Sequence, residues 1–315
     1  MSASAVHKLS HHDTSRADLG LTHDALPSRA HFGAGESVRH LLDELTTVDV
    51  REVQIVASPF RASAVDVIIE SLTAQGIRAF RRTHVQEPPS TGHRESALVG
   101  LGGSATIDRA KEEARRMQVP LVVLPTTYSG AELDARLTQR RATPSGHRPH
   151  GSLPTAVIYD PCLVRSLPVR DAGLSLLAAV GNALEAIIAT PAGSLTQLIA
   201  AEGIRQLSRA ALDVIYNADG LQGPAAAQLG AYLTGAAAAI TPSTTLIDAT
   251  LAASEGGTPV RLARAGVIRR TAENLARRRP DGFSIVAHDV EIDVLVEQVI
   301  QASGIADDIP PVRFC

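Results

Sequence analysis

Between about residue 50 and residue 160, short apolar runs alternate with amphipathic stretches. Arg51–Ala57 (REVQIVA) predicts a buried strand. Ala62–Gln75 sets Val65, Ile68, Ile69 and Leu72 at helical spacing. Ile77–Arg81, Ser96–Gly100, Pro120–Leu124 and Thr155–Tyr159 read as further strands, and Thr106–Met117 as a helix rich in charge. Strands alternating with helices predict a parallel, doubly wound sheet. After Pro168 the texture changes. Asp171–Thr190, Ser194–Asn217, Pro224–Ile240, Val260–Arg279 and Val290–Ser303 all predict helices, with Leu174, Leu177, Gly181, Leu184 and Ile188 spaced along the first. The pattern therefore divides the chain into a disordered tail over 1–29, an α/β domain over 30–168 and an all-helical domain over 169–315.

Composition narrows the partners. A net charge of −3 gives no field to gather nucleic acid or an anionic membrane. Aromatic residues make up 3% of the chain and Trp is absent, so a base-stacking platform is not expected. The two cysteines, Cys162 and Cys315, have no metal-ligand spacing and suit a reducing compartment. No apolar run is read as a membrane span, and Met1–Arg29 lacks the apolar core of a signal peptide. The expectation is a soluble, cytoplasmic protein without nucleic-acid or membrane partners.

Two loops carry candidate chemistry. In Leu98–Lys111 (LVGLGGSATIDRAK) a strand ends in Gly100, Gly102 and Gly103, and a helix begins near Ser104 to Thr106. Glycines let a phosphate approach the backbone, and the helix start offers free N–H groups and a favourable dipole. The GxGxxG spacing is absent, so a tight turn without a ligand stays open as an alternative. The next strand runs into Leu124–Glu132 (LPTTYSGAE), where Thr126, Thr127, Tyr128 and Ser129 bring hydroxyls to the carboxyl edge of the sheet. Open α/β sheets bind ligands at that edge. The alternative there is an ordinary polar loop.

Three ordered segments carry a resemblance. GGSATIDRAK (Gly102–Lys111), PTTYSGAEL (Pro125–Leu133) and LPTAVIYDPCLVRSLP (Leu153–Pro168) resemble signatures of the iron-containing alcohol dehydrogenase family, nearest its maleylacetate reductase branch. FGAG (Phe32–Gly35) is similar to the usual start of that family. The resemblance is good over residues 31–190 and weak beyond 240. It implies a Rossmann-like domain binding NAD or NADP, a helical domain of the dehydroquinate synthase-like type, and an active site in the cleft between them. It also implies a homodimer and a small anionic substrate. By position, Gly102, Gly103, Ser104 and Thr106 would meet the pyrophosphate. Thr126, Thr127 and Ser129 would line the nicotinamide and ribose. Ser58, Pro59 and Phe60 would flank the adenosine, and Leu167 would pack near the adenine. Two residues depart from the pattern: Ser104 replaces a third glycine and Ala105 replaces a serine.

Most of the family hold Fe²⁺ or Zn²⁺ with one Asp and three His. Here the Asp position is Ala178 and the first His position is Asn182; the later ligands would fall near Thr250 and Arg264. Residues 151–287 contain no histidine at all. Transition metals prefer imidazole or thiolate, so no metal is expected. A metal-independent reductase of a small keto or enol acid must then polarise its substrate with side chains. The candidates are Asn182, Tyr128, His147 and Arg264. The competing readings are a repurposed non-redox enzyme, catalysing a cyclisation or elimination, and a non-catalytic homologue on the same fold. Asn182, His147 and Arg264 each also have a bland reading: a buried Asn satisfied by backbone, a solvated loop His, a surface Arg on an amphipathic helix; if Arg264 serves the site, Glu185 is its expected partner when the site is empty.

Overall fold

A computed structural model describes residues 29–82, 95–134, 152–191, 194–217, 219–241, 259–278 and 291–310. Six parallel strands form one sheet: β1 (Arg29–Phe32), β2 (Glu52–Ala57), β3 (Arg78–Arg81), β4 (Ser96–Gly102), β5 (Leu121–Pro125) and β6 (Ala156–Tyr159). Their spatial order is β1-β6-β5-β4-β2-β3, so the carboxyl ends of β5, β4 and β2 lie side by side. Helices α1 (Ser37–Thr47), α2 (Ala62–Ala74) and α3 (Ser104–Met117) belong to the same part of the chain. Both faces of the sheet are packed: Leu41, Leu45, Val65 and Leu72 join one apolar cluster with Val53, Ile55 and Val99, while Ile107, Ala114 and Met117 join another with Val56, Leu98 and Val123. That double coverage explains why β4 and β5 read as continuous apolar runs.

Strand β2 alternates apolar and polar residues yet is buried on both faces. Glu52 and Gln54 are enclosed because they satisfy each other at 3.2 Å and have basic partners. Arg78 meets Glu52 at 2.6 Å, and Arg82 bonds Gln54 and Glu113. Polar groups tolerate such burial when they are hydrogen-bonded.

The remaining chain is helical: α4 (Pro161–Val164), α5 (Val169–Ala189), α6 (Leu195–Tyr216), α7 (Gln222–Ala239), α8 (Val260–Arg278) and α9 (Ile292–Ala302). The helix expectations hold to within a few residues at each end. The amphipathic helix α1, the edge strand β1 and the short α4 lie outside what the sequence pattern picked out. Helix α5 is the central element of the helical core, with residues Ala172–Ile187 buried. It is long and apolar enough to cross a membrane, contrary to the sequence reading, but 89% of its apolar window is buried within the protein. The Tyr-Asp-Pro landmark at residues 159–161 has a structural role. Asp160 caps α4 through Cys162 N–H at 2.9 Å and accepts from Gly35 and Ser37, thereby tying the start of α1 to the end of β6.

Candidate active site

A cavity of about 700 Å³ opens between the carboxyl edge of the sheet and helices α5, α7 and α8. Its size falls within the roughly 300–1,000 Å³ of small-molecule sites. One wall is made by strand ends. Ser58, Phe60 and Arg61 follow β2; Gly103, Ser104, Ala105 and Thr106 follow β4; Thr126, Thr127 and Ser129 follow β5. The three ends are stitched by backbone hydrogen bonds, Ser58 N–H to Leu101 O at 3.1 Å and Thr126 N–H to Gly102 O at 3.0 Å. The opposite wall is helical, with Ala178, Asn182 and Glu185 from α5, Gly235 from α7, and Arg264, Ala265 and Ile268 from α8.

At the centre of the strand wall, α3 starts at Gly103 with no side-chain cap and no acidic residue in its first turn. The first N–H groups of a helix lack intrahelical partners and attract anions. A β-carbon on Gly103 would stand 3.0 Å from the Thr127 methyl, so glycine lets the β4 and β5 loops meet. Gly102 is buried and does not face the cavity; a β-carbon there would collide with Thr106 at 2.7 Å. Ser104 and Thr106 both line the cavity.

The β5 loop joins the two walls. Gly130 has φ +70°, and a β-carbon there would meet Asn182 Nδ2 at 2.8 Å and Gly235 Cα at 3.2 Å. The left-handed turn wedges the loop between α5 and α7. Asn182 Nδ2 donates to Ser129 O at 3.0 Å, while its Oδ1 accepts from Arg264 Nη2 at 2.8 Å. Arg264 also donates to Ala178 O at 3.4 Å. Gly181 faces Ile268 and Arg264 across the α5–α8 contact, with a β-carbon position 2.7 Å from Ile268 Cδ1. This close approach brings the guanidinium to the cavity wall.

Behind the same loop, the buried ammonium of Lys111 donates to Ala131 O and, at 2.6 Å, to Asp134 O, and pairs with Asp108 at 3.6 Å. Burial lowers the Lys111 pKa, and Asp108 opposes that shift. Glu132 is enclosed beside it and accepts from Tyr159 Oη at 2.8 Å; burial raises its pKa. These groups fix the loop from α3 and β6. Neither Lys111 nor Glu132 was singled out by the sequence patterns, because an isolated Lys or Glu on a helix or loop reads as solvated.

The structure thus gathers Ser58, Phe60, Gly103, Ser104, Thr106, Thr126, Thr127, Ser129, Leu167, Asn182 and Arg264 around one cavity. Tyr128 is elsewhere: it is 1% exposed, packs in the helical core and has its pKa pushed up by burial. Its neighbours Thr127 and Ser129 face the cavity while its ring serves as a core anchor. Pro59 is also off the cavity lining and starts a short turn before α2. His147 and Thr250 lie outside the described residues. Arg61 and Ser166, which the sequence reading did not weigh, join the lining.

Among the described residues, the helical wall presents no imidazole or thiolate to the cavity. Where it faces the cavity the wall offers the Asn182 amide, the Ser175 hydroxyl, the guanidiniums of Arg261 and Arg264 and the α5 carboxylates of Asp171 and Glu185, among apolar side chains. Among the described residues, no group of three His, Cys, Asp or Glu is placed to hold a metal ion. A guanidinium 2.8 Å from Asn182 puts fixed positive charge in that wall.

No protein-family model matches the chain. It is 32% identical over 202 residues to a maleylacetate reductase from Sphingobium indicum, a match covering 61% of this chain and 56% of the relative. A maleylacetate reductase from Burkholderia cepacia is 29% identical over 220 residues, covering 66% and 62%. The chain spans less than two thirds of these curated relatives. Among solved structures, maleylacetate reductase from Agrobacterium tumefaciens superposes with a TM-score of 0.72 at 21% identity, covering 91% of this chain and 84% of that one. Sulfoacetaldehyde reductase from Bifidobacterium kashiwanohense, solved with NAD⁺, gives 0.71 at 16% identity, covering 89% and 85%. At such identities the structures establish the fold. The chain is similar in sequence to maleylacetate reductases over about three fifths of its length and shares the fold of the solved iron-containing alcohol dehydrogenases.

Proposed function

We propose that this protein is a metal-independent oxidoreductase that uses NADH or NADPH to reduce a small keto or enol acid in the cavity between sheet and helices. The observation that carries the reading is the continuity of that cavity. It joins an uncapped helix start, suited to a pyrophosphate, to the Ser129–Asn182–Arg264 chain. The dinucleotide, when bound, supplies the hydride. Gly103, Ser104 and Thr106 would hold its phosphates at the start of α3. Thr126, Thr127 and Ser129 would line its reactive half.

The protein's own part is orientation and charge. Arg264 grips the carboxylate, or stabilises the oxyanion that forms as the substrate is reduced; a guanidinium can do either with paired hydrogen bonds. Asn182 is a positioning residue. Its amide is engaged by Ser129 O on one side and Arg264 on the other, so it fixes the guanidinium relative to the β5 loop. Water supplies the proton for the product through the open mouth of the cavity.

The test is NADPH oxidation by the purified protein across a panel of short oxo-dicarboxylates, after dialysis against a chelator. Turnover should survive chelation. Arg264→Ala should lower kcat/KM by about 30-fold or more, since truncating a buried charge contact costs on the order of 2–5 kcal/mol. Loss of activity on chelation, restored by Fe²⁺ or Zn²⁺, would reject metal independence. Dinucleotide binding without oxidation of NADPH by any oxo acid would instead favour the non-redox reading.

A further inference from the structure

We propose that the cavity selects NADPH over NADH, with Arg61 and Ser58 receiving the 2′-phosphate of the adenosine ribose. The inference rests on the dinucleotide reading above and deepens it.

Strand order sets the direction of the ligand. The start of α3 follows β4, which lies between β5 and β2. A dinucleotide with its pyrophosphate there has one half over the end of β5 and the other over the end of β2. The β5 side faces Asn182 and Arg264, the groups able to orient a reacting substrate. The adenosine half therefore falls at the end of β2, among Ser58, Phe60, Arg61, Ser166 and Leu167. Phe60 is 92% exposed beside the cavity, and Leu167 offers a second apolar surface. A base covers such surfaces well.

The polar groups at this end discriminate between the two dinucleotides. An enzyme that prefers NAD commonly places a carboxylate against the ribose 2′-hydroxyl, whereas an arginine accommodates a 2′-phosphate. Here the residue that follows β2 is Ser58, and the cation beside it is Arg61. Among the described residues, the guanidinium of Arg61 bonds Ser166 Oγ at 2.6 Å and has no carboxylate partner. Its pKa is lowered by burial. Arginine still carries its charge at neutral pH. A half-buried cation beside two hydroxyls, with no counter-ion among the described residues, suits a dianionic phosphate. A neutral 2′-hydroxyl gains less from that charge.

Fluorescence titration with NADPH and NADH at low salt tests this in wild type, Arg61→Ala and Arg61→Lys. The wild type should bind NADPH at least tenfold tighter than NADH. Arg61→Ala should weaken NADPH by about that factor while leaving NADH within twofold, and Arg61→Lys should recover part of the difference. Equal affinity of the wild type for both, or equal weakening of both by Arg61→Ala, would overturn the selection while leaving dinucleotide binding intact. Failure of the wild type to bind either would overturn the reductase reading and this inference together.

Discussion

The two walls of the cavity are built by different means. The strand wall uses backbone and short hydroxyls: Gly103 and the first turn of α3, with Thr126, Thr127 and Ser129 held by hydrogen bonds between strand ends. The helical wall uses single side chains on long helices, chiefly Asn182 and Arg264, set among Ala178, Ala265 and Ile268. A strand-end site follows from topology, since the carboxyl edge of a parallel sheet presents loops and helix starts to any ligand. A helical site depends on the identity of a few residues and can exchange one charge carrier for another with the backbone unchanged. The comparison teaches that, under the proposed function, dinucleotide geometry and substrate chemistry are carried by separable parts of the molecule.

The loop over residues 126–134 holds the walls in register, and breaking it should have the largest effect on stability. Lys111→Met removes the ammonium that binds Ala131 O and Asp134 O and leaves Asp108 without that partner. Removing one member of a buried pair costs about 3–5 kcal/mol. The urea midpoint of unfolding should fall accordingly. An unchanged midpoint would mean that the loop is held by other contacts.

A smaller effect is expected at Gly130. Alanine there must adopt a left-handed backbone and crowd Asn182 and Gly235. The cost is about 1–3 kcal/mol. The loop should move off α5, so kcat should fall more than dinucleotide affinity. Equal loss of both would show that the walls cannot be perturbed separately.

Much of the strand wall was legible in the sequence. The glycine turn, the hydroxyl-rich loop after β5 and the parallel sheet all follow from local pattern, because short apolar runs that alternate with helical stretches and end in turn residues leave few alternatives. The helical wall was legible only through resemblance. Asn182 and Arg264 were weighed for their positions in a motif, and no periodicity distinguishes Arg264, which meets Asn182, from Arg261, which lines the cavity but pairs with Asp171, or from Arg270, which pairs with Glu273. Tyr128 sat in the right motif but points into the core, since side chains within a tight loop alternate in direction. Arg61 went unread because four residues past a strand a cation usually meets water. Only the fold brings it to Ser166, 105 positions away in sequence.

The central claim is that the strand wall binds a dinucleotide through the start of α3. Titration of NADPH fluorescence with wild type and Gly103→Val tests it most directly. Valine would fill the approach to the helix N–H groups and press on Thr127, which a β-carbon at 103 already meets at 3.0 Å. The account predicts saturable binding by the wild type and at least about a tenfold loss, roughly 1.4 kcal/mol, in a variant whose circular dichroism is unchanged. Equal binding by the two proteins, or no binding by the wild type, would contradict it.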